Sequence, residues 1–398
     1  MSVPGSSPRT PPLVIAGRRT PLIRAGTAFA GLRVHELLAP VLRAVREDSG
    51  LAGEELAQVI VGNAAGGGGN LARLAALEAD FPETVPGLTV DGQCGSGLDA
   101  VVLACRLIQA GAGLAYVAGG AESISTAPVR GHRTPDGDIA FYSRAQHAPT
   151  RSGADSDPDM GIAAETVARE AGVPRERQDA LALRSHRRAL DAASTGAFSA
   201  EIVPVRTSVG WVRADNGPRS RLDDRILARF PPAFVAGGTV TAGNSCFDAD
   251  GAAAVVVVDA DRLALVPGRA ALAFLGSASS GVDPRRLGVG AAAAAEALLT
   301  EHGATVEELA AVEFNEAFAG QVLACTDRIG LTEDAADAVL NIHGGSLALG
   351  HAYGASGAVS VVRLLARAQS LPDGSLCLAM ISSAGGLGTA VLFETRRL

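Results

Sequence analysis

SGLDAVVLACRLIQ, Ser96 to Gln109, returns 260 residues later as SGAVSVVRLLARAQ, Ser356 to Gln369. Both copies fit SGxxxVVxxxxxxQ. In the first, Leu98, Val101, Val102, Cys105 and Ile108 make one apolar stripe at helical spacing. Each predicted helix leads into a strand, LAYVA (Leu114 to Ala118) in the first copy and SLCLAM (Ser375 to Met380) in the second. Such a repeat predicts two similar α/β halves related by a pseudo-twofold. Chemical groups carried at matching helix mouths would then meet between the halves.

The surrounding chain supports layered α/β architecture. Leu13 to Ala16, Val59 to Val61 and Leu88 to Val90 read as strands, and Val34, Leu37, Leu38, Val41, Leu42 and Val45 mark a helix face. From about Glu122 to Gly243 the composition shifts toward Arg, Asp, Ser, His and Pro. Helical segments near Ile162 to Glu170 and Arg177 to Ala193 sit among loops there, so this stretch reads as an insertion and not as a sheet. Strand character returns at Val255 to Val258 and Ala270 to Phe274. The expected units are 1–121, an inserted 122–243, closing strands of the first half in 244–269, and a second half in 270–398.

Composition removes several function classes. A net charge of −8 argues against general nucleic-acid binding and a membrane-surface role. No apolar run is long enough to cross a bilayer. The leading MSVPGSSPRTPP has no apolar signal region and reads as a short disordered lead-in, which places the chain in a cytoplasm. All 34 basic residues are arginine, so no Schiff-base lysine and no GK[ST] phosphate loop is possible. Five cysteines without a CxxC pair, and seven histidines without a ligand-spaced pair, give no disulfide framework and no metal site.

Cys94 lies in DGQCGSGLDA, between a predicted strand and the mouth of the repeat helix. Unpaired N–H groups and the helix dipole favour a thiolate there, and glycines admit a substrate close to the backbone. Cys105, in the middle of the apolar stripe, reads as core. NIHGGSLALGHAYGASGA, Asn341 to Ala358, presents His351 just before the second repeat helix, as a base on a rigid turn would be. His343 reads as structural. In VEFNEAFAG, Asn315 ends a strand, where it either caps the next helix or holds a water or an oxyanion. GTVTAGNSCFDADGAAAVVVVD (238–259) and ISSAGGLGTAVLFE (381–394) set glycine-rich turns beside strands.

Together, LVIAGRRTPL, VIVGN, CGSGLDAV, GGAESIS, DMGIAAETVA, TVTAGN, NEAFAGQ and GGSLALGHAYGASGA resemble the thiolase family, the acetyl-CoA acetyltransferases and 3-ketoacyl-CoA thiolases. The resemblance spans nearly the whole chain. It implies an αβαβα sandwich of two βαβαβαββ halves with an inserted loop domain that binds coenzyme A. It matches Cys94 to the acyl-accepting nucleophile, His351 to the histidine that activates it, and Asn315 to the asparagine that holds a water in the oxyanion hole. Met160, Ser245, Cys246, Phe318 and Tyr353 fall in the CoA and acyl-binding region, and Arg219 and Arg221 are candidates for the CoA phosphates. No cofactor is expected to stay bound, CoA thioesters are the substrates, and a homodimer or homotetramer is expected.

The sequence departs from the family pattern at one place above all. Ser382 stands where the resemblance calls for a second cysteine, in Ser382-Ser383-Ala384-Gly385-Gly386-Leu387-Gly388. A hydroxyl is a far weaker acid than a thiol, so Ser382 is no equivalent base for an α-proton. Cys377, five residues upstream, should face away from Ser382, while Cys246 is a weak substitute. Ala384 replaces a glycine whose N–H serves the oxyanion hole, with Gly386 in the same turn. Ala352 and Tyr353 replace a proline and an aliphatic residue, and Asp159 replaces a histidine. Three functions fit: a ping-pong acyl-CoA C-acyltransferase that forms or cleaves carbon–carbon bonds, a decarboxylating ketosynthase-like enzyme with a malonyl-type extender, or an acyl-CoA-binding subunit of low activity.

Overall fold

The structure, a computed structural model, describes residues 10–150, 153, 156–263, 265 and 267–398; the first nine residues of the expected lead-in lie outside them. Strands β1 (Leu13–Arg19) and β2 (Ile23–Arg24) precede α1 (Val34–Ser49), which buries Leu37, Leu38, Val41, Leu42 and Val45. Then come β3 (Gln58–Gly62), α2 (Leu71–Glu78), β4 (Gly87–Val90), α3 (Ser96–Gln109) and β5 (Ala115–Glu122). The polar middle holds β6 (Arg130–Arg133), β7 (Ile139–Tyr142), α4 (Met160–Glu170), α5 (Arg175–Thr195), β8 (Val205–Thr207), β9 (Gly210–Val212) and α6 (Asp224–Leu227). Here the sequence reading needs a small correction. Two short antiparallel hairpins, β6–β7 and β8–β9, form outside the main sheet.

The second half supplies β10 (Ala249–Val258), β11 (Ala270–Gly281), α7 (Gly290–His302), β12 (Leu309–Phe314), α8 (Ala319–Ile329), α9 (Glu333–Val339), α10 (Ser346–Leu349), α11 (Tyr353–Ala368), β13 (Leu376–Ser383) and β14 (Leu387–Arg397). The strands follow one hydrogen-bonded path, β12-β13-β14-β11-β1-β10-β5-β3-β4, with β2 on β10. The pseudo-twofold is visible in the pairing. Parallel β3–β5 continues into antiparallel β5–β10–β1, and parallel β12–β13 continues into antiparallel β13–β14–β11. The halves join where β1 meets β11 at Leu13↔Ala273 and Val14↔Leu272.

Strand alternation sorts the side chains into layers. Along β10, Ala253, Val255 and Val257 face the centre, while Ala252, Ala254, Val256 and Val258 face α1 and α2. Along β13, Cys377, Ala379 and Ile381 face the centre, and Leu378 and Met380 face α7 and α8. Between the two halves of this sheet lie α3 and α11, giving the αβαβα sandwich. The two helices cross at their first turns. A Cβ on Gly97 would lie 2.5 Å from the Gly354 carbonyl oxygen, and one on Gly357 would lie 2.6 Å from the Leu98 nitrogen. The glycine of each SG repeat is therefore required by close backbone approach, and that approach brings the mouths of the two helices together.

Candidate functional site

Cys94 sits on the sharp turn between β4 and α3. Gln93 takes a positive φ of 58°, and the Ser96 side chain straps the turn, accepting the Gly92 N–H at 2.9 Å and donating to the Gln93 carbonyl at 2.5 Å. The cysteine is half-buried and lines a cavity of about 700 Å³. His351 lies on the same cavity, two residues before α11, and is 3% exposed. Its Nδ1 is 2.7 Å from Ser356 Oγ, and its Nε2 is buried with no hydrogen-bond partner among the described residues. Burial holds the imidazole down to about 4, so it is neutral at physiological pH.

The expected thiolate needs correcting. Burial pushes the Cys94 thiol up to about 12, and the backbone N–H of Ala384 and of Cys94 itself offset this only in part. The helix mouth is present, but desolvation outweighs it, so the resting group is a thiol.

The other predicted residues divide by position. Met160, Ser245, Cys246, Phe318 and Tyr353 line the cavity with Cys94. Phe318 meets Phe234 edge-on at 6.1 Å, and Ser245 donates to the Thr241 carbonyl at 2.7 Å. Asn315 does not line this cavity. It borders a separate hollow of about 30 Å³ with Ser346 and Ser356, large enough for a water. Its Oδ1 accepts from Ser346 at 2.5 Å, and its Nδ2 is buried without a partner among the described residues. Ser382 and Ala384 line the main cavity, whereas Gly386 is a turn residue with φ 80°, packed against the Val282 carbonyl. Ser382 is 8% exposed; its hydroxyl donates to the Gly288 carbonyl at 2.7 Å and accepts from the Ala291 N–H at 3.0 Å.

Arg219 and Arg221 are exposed and off the cavity wall. Arg219 nevertheless stands beside it. Gly217, two residues earlier, packs against the Phe247 ring, and the Arg24 guanidinium lies 3.7 Å from that ring's centroid. Burial, then the charge of Arg219, lowers Arg24 below its ordinary value. The cluster borders the residues just after Cys246. His343 is off the main cavity, edge-on to Phe198 at 6.4 Å.

Two residues escaped the sequence reading. Ser356 is the first residue of the second repeat copy, so a signal existed: Ser96, its counterpart, straps the Cys94 turn as Ser356 holds His351. Asp248 falls within the glycine-rich stretch 238–259, where nothing in the pattern singles it out. It is exposed on the cavity wall, and the Tyr353 hydroxyl donates to its Oδ1 at 2.5 Å.

Comparison with known proteins accords with this geometry. Residues 13–261 match the family described as "Thiolase, N-terminal domain", and residues 269–395 match "Thiolase, C-terminal domain". The chain is 42% identical over 361 residues to the Bacillus subtilis (strain 168) protein named "Putative acetyl-CoA C-acetyltransferase YhfS", covering 90% of this chain and 92% of that one. The crystal structure of the Bacillus anthracis acetyl-CoA acetyltransferase superposes with a TM-score of 0.87 at 32% identity, covering 98% of this chain and 100% of that chain. The Acat5 thiolase from Ascaris suum, in complex with coenzyme A, gives 0.84 at 31% identity over the same shares.

Proposed function

The chain belongs to the thiolase family, and on that premise we propose that it is an acetyl-CoA C-acetyltransferase that moves an acyl group through Cys94. One observation carries the reading: Cys94 and the unpartnered Nε2 of His351, set at the mouths of paired helices, face the same cavity. The Cys94 sulfur attacks the carbonyl carbon of a CoA thioester. Its proton passes to His351 Nε2 and then to the departing CoA sulfur. Because the resting group is a thiol, this transfer belongs to the reaction and is not completed beforehand. The Ala384 N–H favours the charged form of the Cys94 sulfur and so stabilises charge that develops there. A second thioester then enters the same cavity, and its α-carbon takes the acyl group. Run backwards, the sequence is thiolysis of a 3-ketoacyl-CoA.

The neighbouring Arg24 and Arg219, with the exposed Arg221 two residues on, are the place for the CoA phosphates, with the pantetheine arm passing Met160, Phe318 and Ser245 into the cavity. Among the described residues, no helix is long and apolar enough to cross a membrane.

The test is an intact mass after mixing with acetyl-CoA and, separately, longer acyl-CoAs. An acyl adduct that disappears in Cys94→Ala is the expected result. No adduct in protein that still binds CoA would remove the proposal and leave a binding subunit as the better account.

A further inference from the structure

Acyl transfer through Cys94, as proposed above, leaves one proton without an acceptor, and the identity of that acceptor rests on the same reading. Forming the carbon–carbon bond requires removal of a proton from the α-carbon of the second acyl-CoA. Ser382 is unsuited: its hydroxyl is committed to the Gly288 carbonyl and the Ala291 N–H, and a hydroxyl is a poor base. Cys377 points into the central layer, fully buried. Cys246 lines the cavity, but burial and the nearby charge of Asp248 keep it a thiol. His147 Nδ1 lies 2.9 Å from the Arg144 guanidinium, so its lone pair accepts from Arg144 and the other ring nitrogen carries the hydrogen. An arginine side chain has no acceptor for a proton, and burial, with the charge of Asp248, raises the Tyr353 hydroxyl. His351 Nε2 is assigned above to the proton of Cys94.

Asp248 remains. Its Oδ1 accepts from Tyr353, and the other carboxylate oxygen has no hydrogen bond or ion pair among the described residues. The Tyr353 ring packs edge-on against His351 at 5.1 Å. The backbone repeats the link: the Ala249 N–H donates to the His351 carbonyl at 3.1 Å, and the His351 N–H donates to the Phe247 carbonyl at 2.9 Å. Asp248 therefore hangs from the same paired segment that positions His351, and its charge reaches Cys94.

We infer that Asp248 is the general base that takes the α-proton of the second acyl-CoA, with Tyr353 as the residue that positions it. The free carboxylate oxygen accepts the proton, and the electrons of the C–H bond form the new bond to the acyl carbon on Cys94. The C–S bond to Cys94 breaks as the tetrahedral adduct collapses. The proton held by Asp248 returns through cavity water to the Cys94 sulfur, restoring the thiol. Two acyl-CoA molecules thus give one free CoA and one 3-ketoacyl-CoA, with no external oxidant or reductant.

The experiment follows deuterium entering the α-carbon of acetyl-CoA in D2O, beside the intact mass of acyl-Cys94 and the rate of condensation. Asp248→Asn should still take an acyl group on Cys94 but lose α-exchange and condensation by about 10²–10⁴-fold, the range for a general base. Asp248→Glu should recover part of both, and Tyr353→Phe should fall between wild type and Asp248→Asn. Asp248 is exposed, so these variants leave the core untouched. Exchange in Asp248→Asn within a few-fold of wild type would overturn the assignment while leaving acyl transfer through Cys94 in place. Wild type that is acylated, shows no α-exchange and condenses only with malonyl-CoA would also overturn it. Wild type that takes no acyl group would remove the proposed function itself, and the base assignment with it.

Discussion

Ser356 Oγ lies 2.7 Å from His351 Nδ1, and the opposite ring nitrogen is buried with no partner among the described residues. A serine hydroxyl both donates and accepts. When Nδ1 donates to it, Nε2 has a free lone pair and can take the Cys94 proton. When Nδ1 accepts from it, Nε2 carries hydrogen and can donate to an oxyanion. The serine permits both tautomers, as acyl transfer requires of one histidine.

Ser356→Ala should therefore slow acylation of Cys94 by about 10–100-fold, part of what a well-held general base supplies. KM for the acyl-CoA should stay within about two-fold, because Ser356 faces His351 and not the cavity. A rapid-quench measurement of acyl-enzyme formation separates the two. Unchanged acylation would mean that packing alone orients the ring.

Ser382 has a different part. Its hydroxyl joins β13 to the start of α7 through Gly288 and Ala291. Ser382→Ala leaves the buried Ala291 N–H unpartnered and the Gly288 carbonyl with the weak Cys325 thiol donor alone, at a cost of about 1–3 kcal/mol. The unfolding midpoint should fall, while kcat at a temperature where the variant is folded stays within a few-fold. Ser382→Cys should likewise change kcat only a few-fold if the base is Asp248. A large rise in thiolysis would instead mark Ser382 as the limiting group.

The halves, the sandwich and the family were legible because each rests on local patterning. The SG of each repeat copy announces two helices that approach backbone to backbone, and the strands alternate with period two. The ionisation of Cys94 was not legible, since a helix mouth is visible in sequence and the extent of desolvation is not. Nor was Asn315's retreat behind the cavity, which depends on how β12 and α10 pack. Asp248 was hidden for a related reason: its meaning comes from Tyr353, 105 positions away, and no spacing rule connects them.

Arg219 reports on the CoA end. It is exposed, without an ion pair among the described residues, and close enough to Arg24 to lower it. Arg219→Ala should raise KM for acyl-CoA several-fold with little change in kcat, as expected when binding is lost equally from ground and transition states. The salt dependence of KM should weaken too. Unchanged KM and salt response would place the phosphates elsewhere.

The central layer offers a stability test. Gly97→Ala puts a methyl group 2.5 Å from the Gly354 carbonyl oxygen, inside any allowed contact. Overpacking of this kind costs about 1–3 kcal/mol or more, and here it also separates the helix mouths that carry Cys94 and His351. Both the denaturant midpoint and the acylation rate should fall. Gly137→Ala, a control on an exposed turn with φ 90° and no close neighbour, should affect stability alone.

Histidine burial sets a pH dependence of stability. His186, His343 and His351 are each held down from the usual 6.5 to about 4, with burial the largest cause. Between those values the unfolded chain binds protons that the folded chain refuses. Stability therefore falls as pH drops from about 6.5 toward 4, and the loss is complete below the folded value. Carboxylates complicate the acid end. Glu122 and Glu316 are raised by burial and act in the opposite sense just above 4.5, whereas Asp283, lowered to about 2 by Arg285, acts only below 3.8. A single substitution isolates one histidine from this sum. His343 is half-buried and off the main cavity, so His343→Gln removes its titration without touching Cys94 or His351. Urea unfolding at pH 7.5 and pH 5 should show wild type losing more stability than the variant, by on the order of 1–2 kcal/mol for this one group. Equal losses would mean that His343 titrates near its ordinary value, and the pH sensitivity would then rest on His186 and His351.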